Sequence, residues 1–158
     1  MQPIVAIIPA RYASSRLPGK PLAKIAGKPM IRRVWEQVIQ SKLVNRVIIA
    51  TDHKDIVKVC QSFGAEVVLT SESFATGSDR IAFVASTLAD ASIIVNVQGD
   101  EPFIPPVMID KAVEPLLFDE TVQISTLAKR ITRGEDLLNP AVVKVVFDGY
   151  NNALYFSR

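Results

Sequence analysis

The segment PARYASSRLPGK (9–20) sets two arginines, two serines and a lysine directly behind an apolar run, PIVAII (3–8). Guanidinium, ammonium and hydroxyl donors around a glycine turn are groups suited to holding phosphate oxygens. A second polar segment, QGDEP (98–102), leaves another apolar run, SIIVNV (92–97), and offers Asp100 and Glu101. Carboxylates facing a basic loop suit a magnesium ion shared with a triphosphate. Taken alone, the same segment reads as a Gly-Asp turn. A third, TGSDR (76–80), supplies Thr76 or Ser78 as a helix N-cap, or a Gly77–Ser78 seat for a base or ribose.

Neither standard nucleotide fingerprint is present. A Walker loop needs glycine where Ser14 stands and Ser or Thr where Pro21 stands, and no GxGxxG occurs. One cysteine excludes an internal disulfide, and with one histidine it makes zinc ligation a poor fit, so any metal needs oxygen ligands. Cys60 falls on an apolar stripe and reads as inert core. His53, between Asp52 and Asp55, reads as a cap or surface residue, and Asp52 itself is ambiguous. Residues 1–35 carry Arg11, Arg16, Lys20, Lys24, Lys28, Arg32 and Arg33 with no acid, although the whole chain is only +2. Such local charge favours an anionic ligand. Tyr12 is the one aromatic in the loop, so a stacking platform for nucleic acid is poorly supported and a small polyphosphate fits better.

The elements that must carry these segments alternate. Residues 3–8, 45–50, 65–69 and 92–97 are short runs rich in Ile and Val, the pattern of strands buried on both faces. Between them, Ile31, Val34, Trp35 and Val38 follow helical spacing, as do Ile56, Val59, Cys60 and Phe63, and Ile81, Val84, Ala85 and Leu88. The pattern predicts an α/β fold with a mostly parallel sheet and helices on both faces. PPVMIDKAVEPLLF (105–118) predicts a further helix opened by proline. VQISTLAKRI (122–131), VVKVVF (142–147) and ALYFSR (153–158) then read as three strands at a mixed sheet edge or in a hairpin excursion. At 158 residues the chain reads as one domain. PIVAII is too short to span a bilayer and no leader pattern precedes it, so the expectation is a cytoplasmic protein without membrane insertion.

Taken together, IPARYASSRLPGKPL, TDHKDI, SFATGSDRIAFV, IVNVQGDEPFIPP, NPAVVKVVFD and ALYFSR resemble the 3-deoxy-manno-octulosonate (Kdo) cytidylyltransferases, the CMP-Kdo synthetases, along the full length of the chain. The resemblance implies a three-layer α/β/α sandwich of the nucleotide-diphospho-sugar transferase type. It also implies the reaction CTP + Kdo → CMP-Kdo + diphosphate, in lipopolysaccharide synthesis, with magnesium. By the same resemblance, Arg11, Ser14, Arg16 and Lys20 match the triphosphate loop, and Gly77 and Ser78 part of the cytidine pocket. Gln98 matches a sugar contact, Asp100 a magnesium ligand, and Arg80 a further contact. Lys20 and Asp100 are the residues expected to carry the chemistry. Members of the family are longer and dimeric, and beyond ALYFSR they carry more sugar contacts and a second magnesium-ligating aspartate. Residues 1–158 are accordingly expected to be a single nucleotidyltransferase domain lacking its C-terminal part. CMP-sialic acid synthetases share IPAR but continue with a glycine-rich stretch unlike RYASSR. An enzyme of that type, a non-catalytic nucleotide-binding module and a basic nucleic-acid-binding protein are the alternatives.

Overall fold

The computed structural model describes residues 3–13 and 17–158, and in it the first apolar run forms β1 (Ile4–Ala10), buried throughout except for the half-buried Pro9. A 3-10 turn at Lys20–Leu22 and a two-residue ribbon, β2 (Lys24–Ile25) against β3 (Lys28–Pro29), lead into α1 (Met30–Val38). Then come β4 (Arg46–Thr51), α2 (Lys54–Ser62), β5 (Glu66–Leu69), α3 (Gly77–Ser86), β6 (Ile93–Asn96) and α4 (Pro106–Phe118). The four expected strands of this alternating region all form, their ends shifted by a residue or two. By its internal contacts the chain divides into two compact units, Met1–Ser125 and Thr126–Arg158.

In the first unit, four parallel strands lie in the order β5-β4-β1-β6. Side chains alternate across the sheet as the period of two requires. Ala6, Ile8, Ala10 and Ile49 pack with Ile31, Val34 and Val38 of α1, Ile56 and Cys60 of α2 and Ile109 of α4. Val5, Ile7, Ile48 and Ala50 pack on the other face with Ile81 and Val84 of α3. Helices therefore cover both faces of a parallel sheet, the expected α/β architecture. Among the described residues no helix is long and apolar enough to cross a membrane.

The strand order reverses beside β1: the chain builds outward through β4 and β5, then returns to place β6 on the other side. Crevices at such reversals, beyond the carboxyl ends of the strands, are where open sheets bind ligands. Here the sequence opens that crevice through Pro9. The Ile7 carbonyl accepts the Val97 amide at 3.2 Å, so the β6 side of β1 is reached by alternate residues, of which Pro9 is the next. Proline has no N–H to continue a ladder. Pairing of β1 with β6 stops at Ile7–Asn96, whereas pairing with β4 runs on to Ala10–Thr51.

The second unit holds a four-residue helix, α5 (Glu135–Leu138), and an antiparallel pair, β7 (Lys144–Phe147) with β8 (Ala153–Ser157). The Asp148 carboxylate organises the turn, accepting from the amides of Tyr150 at 2.8 Å and Asn152 at 2.9 Å. This is the hairpin expected from VVKVVF and ALYFSR. The third expected strand, 122–131, is corrected: none of it is strand. Its Val, Ile and Thr content suits a pleated surface, but a strand exists only with a ladder partner, and among the described residues none pairs with it. The antiparallel pairing expected at a mixed edge lies in the two small ribbons, while the four-stranded sheet is wholly parallel.

A buried carboxylate ties α4 to the link between α1 and β4. Asp110 accepts from the Ser41 hydroxyl at 2.5 Å and from the amides of Lys42 and Leu43 at 3.0 and 3.2 Å. Burial raises its pKa, but these donors together outweigh burial and hold it below the usual aspartate value. A depressed pKa contributes stability above the unfolded-state value, and that stability is lost as pH falls through the folded-state value. Asp110→Asn should therefore cost about 1–3 kcal/mol in urea unfolding near neutrality. The gap to wild type should narrow as the pH is lowered from about 7 towards 3. A pH-independent gap would mean that the charge is not what stabilises. A second expectation concerns Gly99, where a Cβ would stand 2.5 Å from the Pro9 carbonyl oxygen. Gly99→Ala must push the QGDEP loop off β1, at a cost of roughly 1–3 kcal/mol. Gly134→Ala, with nothing within 4 Å of the added carbon, is the near-neutral control in the same thermal unfolding measurement.

Candidate active site

Beyond Ala10 the chain turns through Arg11 and Tyr12 into the basic loop. The loop closes where the Gly19 amide donates to the Tyr12 carbonyl at 2.9 Å. Gly19 has φ 68°, a left-handed conformation that favours glycine, and a Cβ there would lie 3.4 Å from the Tyr12 ring. The 3-10 turn that follows presents Lys20. Across the crevice the QGDEP segment folds tightly, its Glu101 amide donating to the Gln98 carbonyl at 3.2 Å. Asp100 is thereby set opposite Lys20, and Lys20 Nζ donates to Asp100 Oδ2 at 2.7 Å. Both side chains are open to solvent, 40% and 51% exposed.

The third wall is the start of α3. Thr76 is its N-cap, accepting from the Asp79 amide at 3.1 Å, while Asp79 accepts from the Thr76 amide at 3.1 Å. This reciprocal capping box fixes the first turn of the helix. Gly77 brings that turn against β1, since a Cβ there would stand 3.4 Å from the Pro9 ring. The three walls enclose a cavity of about 240 Å³. Arg11, Lys20, Gly77, Arg80, Gln98 and Asp100 all line it. Six of the expected site residues are thus brought together. Ser78 is exposed and is not among the lining residues. Ser14 and Arg16 lie outside the described residues.

Arg80 has a structural task as well. Its guanidinium is 2% exposed and donates from Nη2 to Asp52 Oδ2 at 2.8 Å, with Asp52 8% exposed. Nη1 reaches the Thr70 hydroxyl and the Ser71 carbonyl, the latter at 3.3 Å. Asp52 Oδ1 accepts the Tyr12 amide at 2.9 Å. His53 caps α2, its Nδ1 accepting from the Asp55 amide at 3.2 Å, and stacks on Tyr12 with centroids 3.9 Å apart. Burial pushes the Cys60 thiol up to about 12, which suits inert core. Gln98 Nε2 donates to Asn96 Oδ1 at 3.2 Å.

Among the described residues, the cavity combines the cations Arg11 and Lys20 with the carboxylate of Asp100, and none of its lining side chains is placed as a nucleophile. Pro9, Gly99 and Thr76 also form its wall, and the residue pattern does not announce the first two. The signal that could have found them is a proline closing a buried strand and a glycine just past its parallel neighbour. Asp52 offered a further clue, an acid at a strand end beside an otherwise apolar run.

A family model described as Cytidylyltransferase matches residues 5–158. A 3-deoxy-manno-octulosonate cytidylyltransferase of Geobacter metallireducens is 53% identical over 155 residues, covering 98% of this chain and 61% of that protein. Its counterpart in Francisella philomiragia subsp. philomiragia is 54% identical over 154 residues, covering 96% and 61%. Among solved structures, a CMP:2-keto-3-deoxy-manno-octonic acid synthetase complexed with CTP is 40% identical with a TM-score of 0.94. That match covers 98% of this chain and 64% of the other. A cytidylyltransferase from Leptospira borgpetersenii, at 23% identity and a TM-score of 0.65 over 76% of this chain and 51% of its own, shares the fold. The chain spans about 61% of the length of the curated relatives it matches. With the family model matched from β1 to the last residue, this chain belongs to the cytidylyltransferase family.

Proposed function

We propose that this chain forms the nucleotide-binding part of a 3-deoxy-manno-octulosonate cytidylyltransferase, which joins CTP and Kdo into CMP-Kdo and releases diphosphate. The observation that carries the reading is the cavity at the strand reversal, with Arg11 and Lys20 on one side and Asp100 on the other. The CTP-bound state of the solved synthetase similar to this chain supports the choice of nucleotide.

In that reaction a sugar hydroxyl attacks the α-phosphorus, the new O–P bond forms, and the bond to the bridging oxygen breaks. Diphosphate leaves with the electron pair, and the hydroxyl proton passes to solvent. Charge builds on the leaving group, and this reading assigns Arg11 and Lys20, which line the cavity, to offset it. No covalent intermediate on the protein is required.

Among the described residues no three His, Cys, Asp or Glu side chains cluster as a ready-made metal cage. Magnesium does not demand one, since one or two carboxylates plus substrate phosphates and water complete its shell. The exposed Asp100 carboxylate fits that donor set and is the residue that would hold the ion. When bound, magnesium supplies positive charge that offsets the triphosphate. Without a nucleotide, Lys20 neutralises Asp100. A triphosphate that recruits Lys20 leaves Asp100 free for the cation, so nucleotide and metal binding should favour each other.

Lys20→Ala should weaken CTP binding by about 1.5–3 kcal/mol, the usual scale for a charged hydrogen bond. Lys28→Ala is the control, because Lys28 is held by Glu36 at 2.8 Å. Asp100→Asn should leave metal-free CTP binding unchanged or tighter and abolish the gain from magnesium. Calorimetric titration of CTP with and without magnesium reads all three, and diphosphate release with CTP and Kdo reads the reaction. A magnesium gain that survives in Asp100→Asn would remove Asp100 as the ligand. Unchanged affinity in Lys20→Ala would remove the phosphate loop.

A further inference from the structure

We infer that Asp52 is a positioning residue for the nucleotide site, acting through the backbone of Tyr12 and through Arg80. The inference rests on the nucleotide reading above. Asp52 follows β4 directly and uses its two oxygens in two directions. Oδ1 accepts the Tyr12 amide at 2.9 Å, on the first turn of the basic loop. Oδ2 accepts Arg80 Nη2 at 2.8 Å, from the first turns of α3. Arg80 in turn reaches the Thr70 hydroxyl, and Thr70 donates its amide and hydroxyl to the Thr51 carbonyl at 2.7 and 3.0 Å. The loops leaving β1, β4 and β5 and the start of α3 therefore meet on one carboxylate–guanidinium pair.

Two of those segments are walls of the cavity. On the α3 side, Arg80 itself lines it, one turn from Thr76 and Gly77. On the loop side the path is short. Asp52 holds the Tyr12 amide, the Tyr12 carbonyl holds the Gly19 amide at 2.9 Å, and Lys20 is the next residue. The Tyr12 ring is fixed as well, by the stack on His53. A buried ion pair is weak evidence for stability, because apolar residues of similar volume often serve the fold as well or better. What a directional pair adds is geometry: it sets where the Tyr12 amide and the Arg80 guanidinium stand relative to one another. The two sides of the site that must close on one triphosphate and its nucleoside are thereby held in register.

Asp52→Asn keeps the size but turns an NH2 group towards either the Tyr12 amide or Arg80, both of which are donors. In calorimetric titration with CTP and magnesium, the folded variant should bind about 3–30-fold more weakly, the range for residues that act on a site without touching the ligand. Without ligand, amide hydrogen exchange at Tyr12, Gly19 and Lys20 should quicken together. Glu66→Gln is the matched control. It removes the charge from the exposed Arg46–Glu66 pair at the opposite end of the sheet and should leave CTP affinity and those amides unchanged. Thr70→Val removes one partner of Arg80 without stranding a charge and should weaken CTP binding in the same direction by less. A folded Asp52→Asn with CTP affinity within about 2-fold of wild type overturns the inference. If Asp52→Asn does not fold, Thr70→Val decides: weaker CTP binding with quickened exchange at Tyr12, Gly19 and Lys20 supports the inference, and affinity and exchange both unchanged overturn it. Wild type that takes no CTP sinks the nucleotide reading instead, and exchange at Gly19 and Lys20 then still shows whether Asp52 sets the loop.

Discussion

The geometry of this protein turns on the end of one strand. Pro9 is the point at which β1 ceases to be a ladder strand on its β6 side and becomes the wall of a crevice. Its carbonyl lies so close to Gly99 that a Cβ there would stand 2.5 Å away, and its ring lies against Gly77. Two glycines on either side of one proline let the QGDEP loop and the start of α3 close on the same few atoms. The sheet supplies the rigid frame, because β1 is buried on both faces and paired on both edges up to that point. The QGDEP loop and the start of α3 are both set against this place.

From Pro9 the charged residues are reached by short backbone paths, which is why they converge. Arg11 stands two residues on, and Lys20 is returned to the crevice by the hydrogen bond from Gly19 to Tyr12. Asp100 follows Gly99 directly. Positioning of this kind suits phosphoryl transfer, where the protein's task is mostly to place the reactants and offset charge. That none of the described lining side chains is placed as a nucleophile is in keeping with that division of labour.

The parts of this arrangement that the sequence declares are those with a local cause. The strands of the first unit are legible because a parallel sheet covered on both faces needs continuous apolar runs, and the helices because α1, α2 and α3 each bury one stripe. Lys20 and Asp100 are legible as charges at the exits of buried strands. The role given to Gln98 rests on resemblance alone, whereas Gly77 is offered by its own segment as part of a seat for a base or ribose. What stayed hidden depends on distant partners. Nothing near Asp52 or Arg80 says that they meet, because their pairing follows from β4 lying between β1 and β5. The steric demand at Gly99 exists only once β6 is placed beside β1. The segment 122–131 failed for the same reason in reverse: its residues favour a strand, and the partner that would make it one is not written in it.

Two carboxylate–cation pairs at the carboxyl ends of these strands differ chiefly in depth, and depth separates their roles. Lys20–Asp100 is open to solvent, where an ion pair is worth little and yields readily to a more highly charged partner. On the proposed reading it suits an exchangeable contact, one that keeps a carboxylate and an ammonium compatible until phosphate and a metal ion would replace each for the other. Arg80–Asp52 is shielded from water, and removing either member would leave an uncompensated charge in the interior. It suits a permanent contact. Interchanging the two depths would defeat both: a buried Lys20–Asp100 would not release its groups to a ligand, and an exposed Arg80–Asp52 would not hold the basic loop against thermal motion. The same chemistry thus suits one contact to giving way and the other to holding, and burial is the main difference between them.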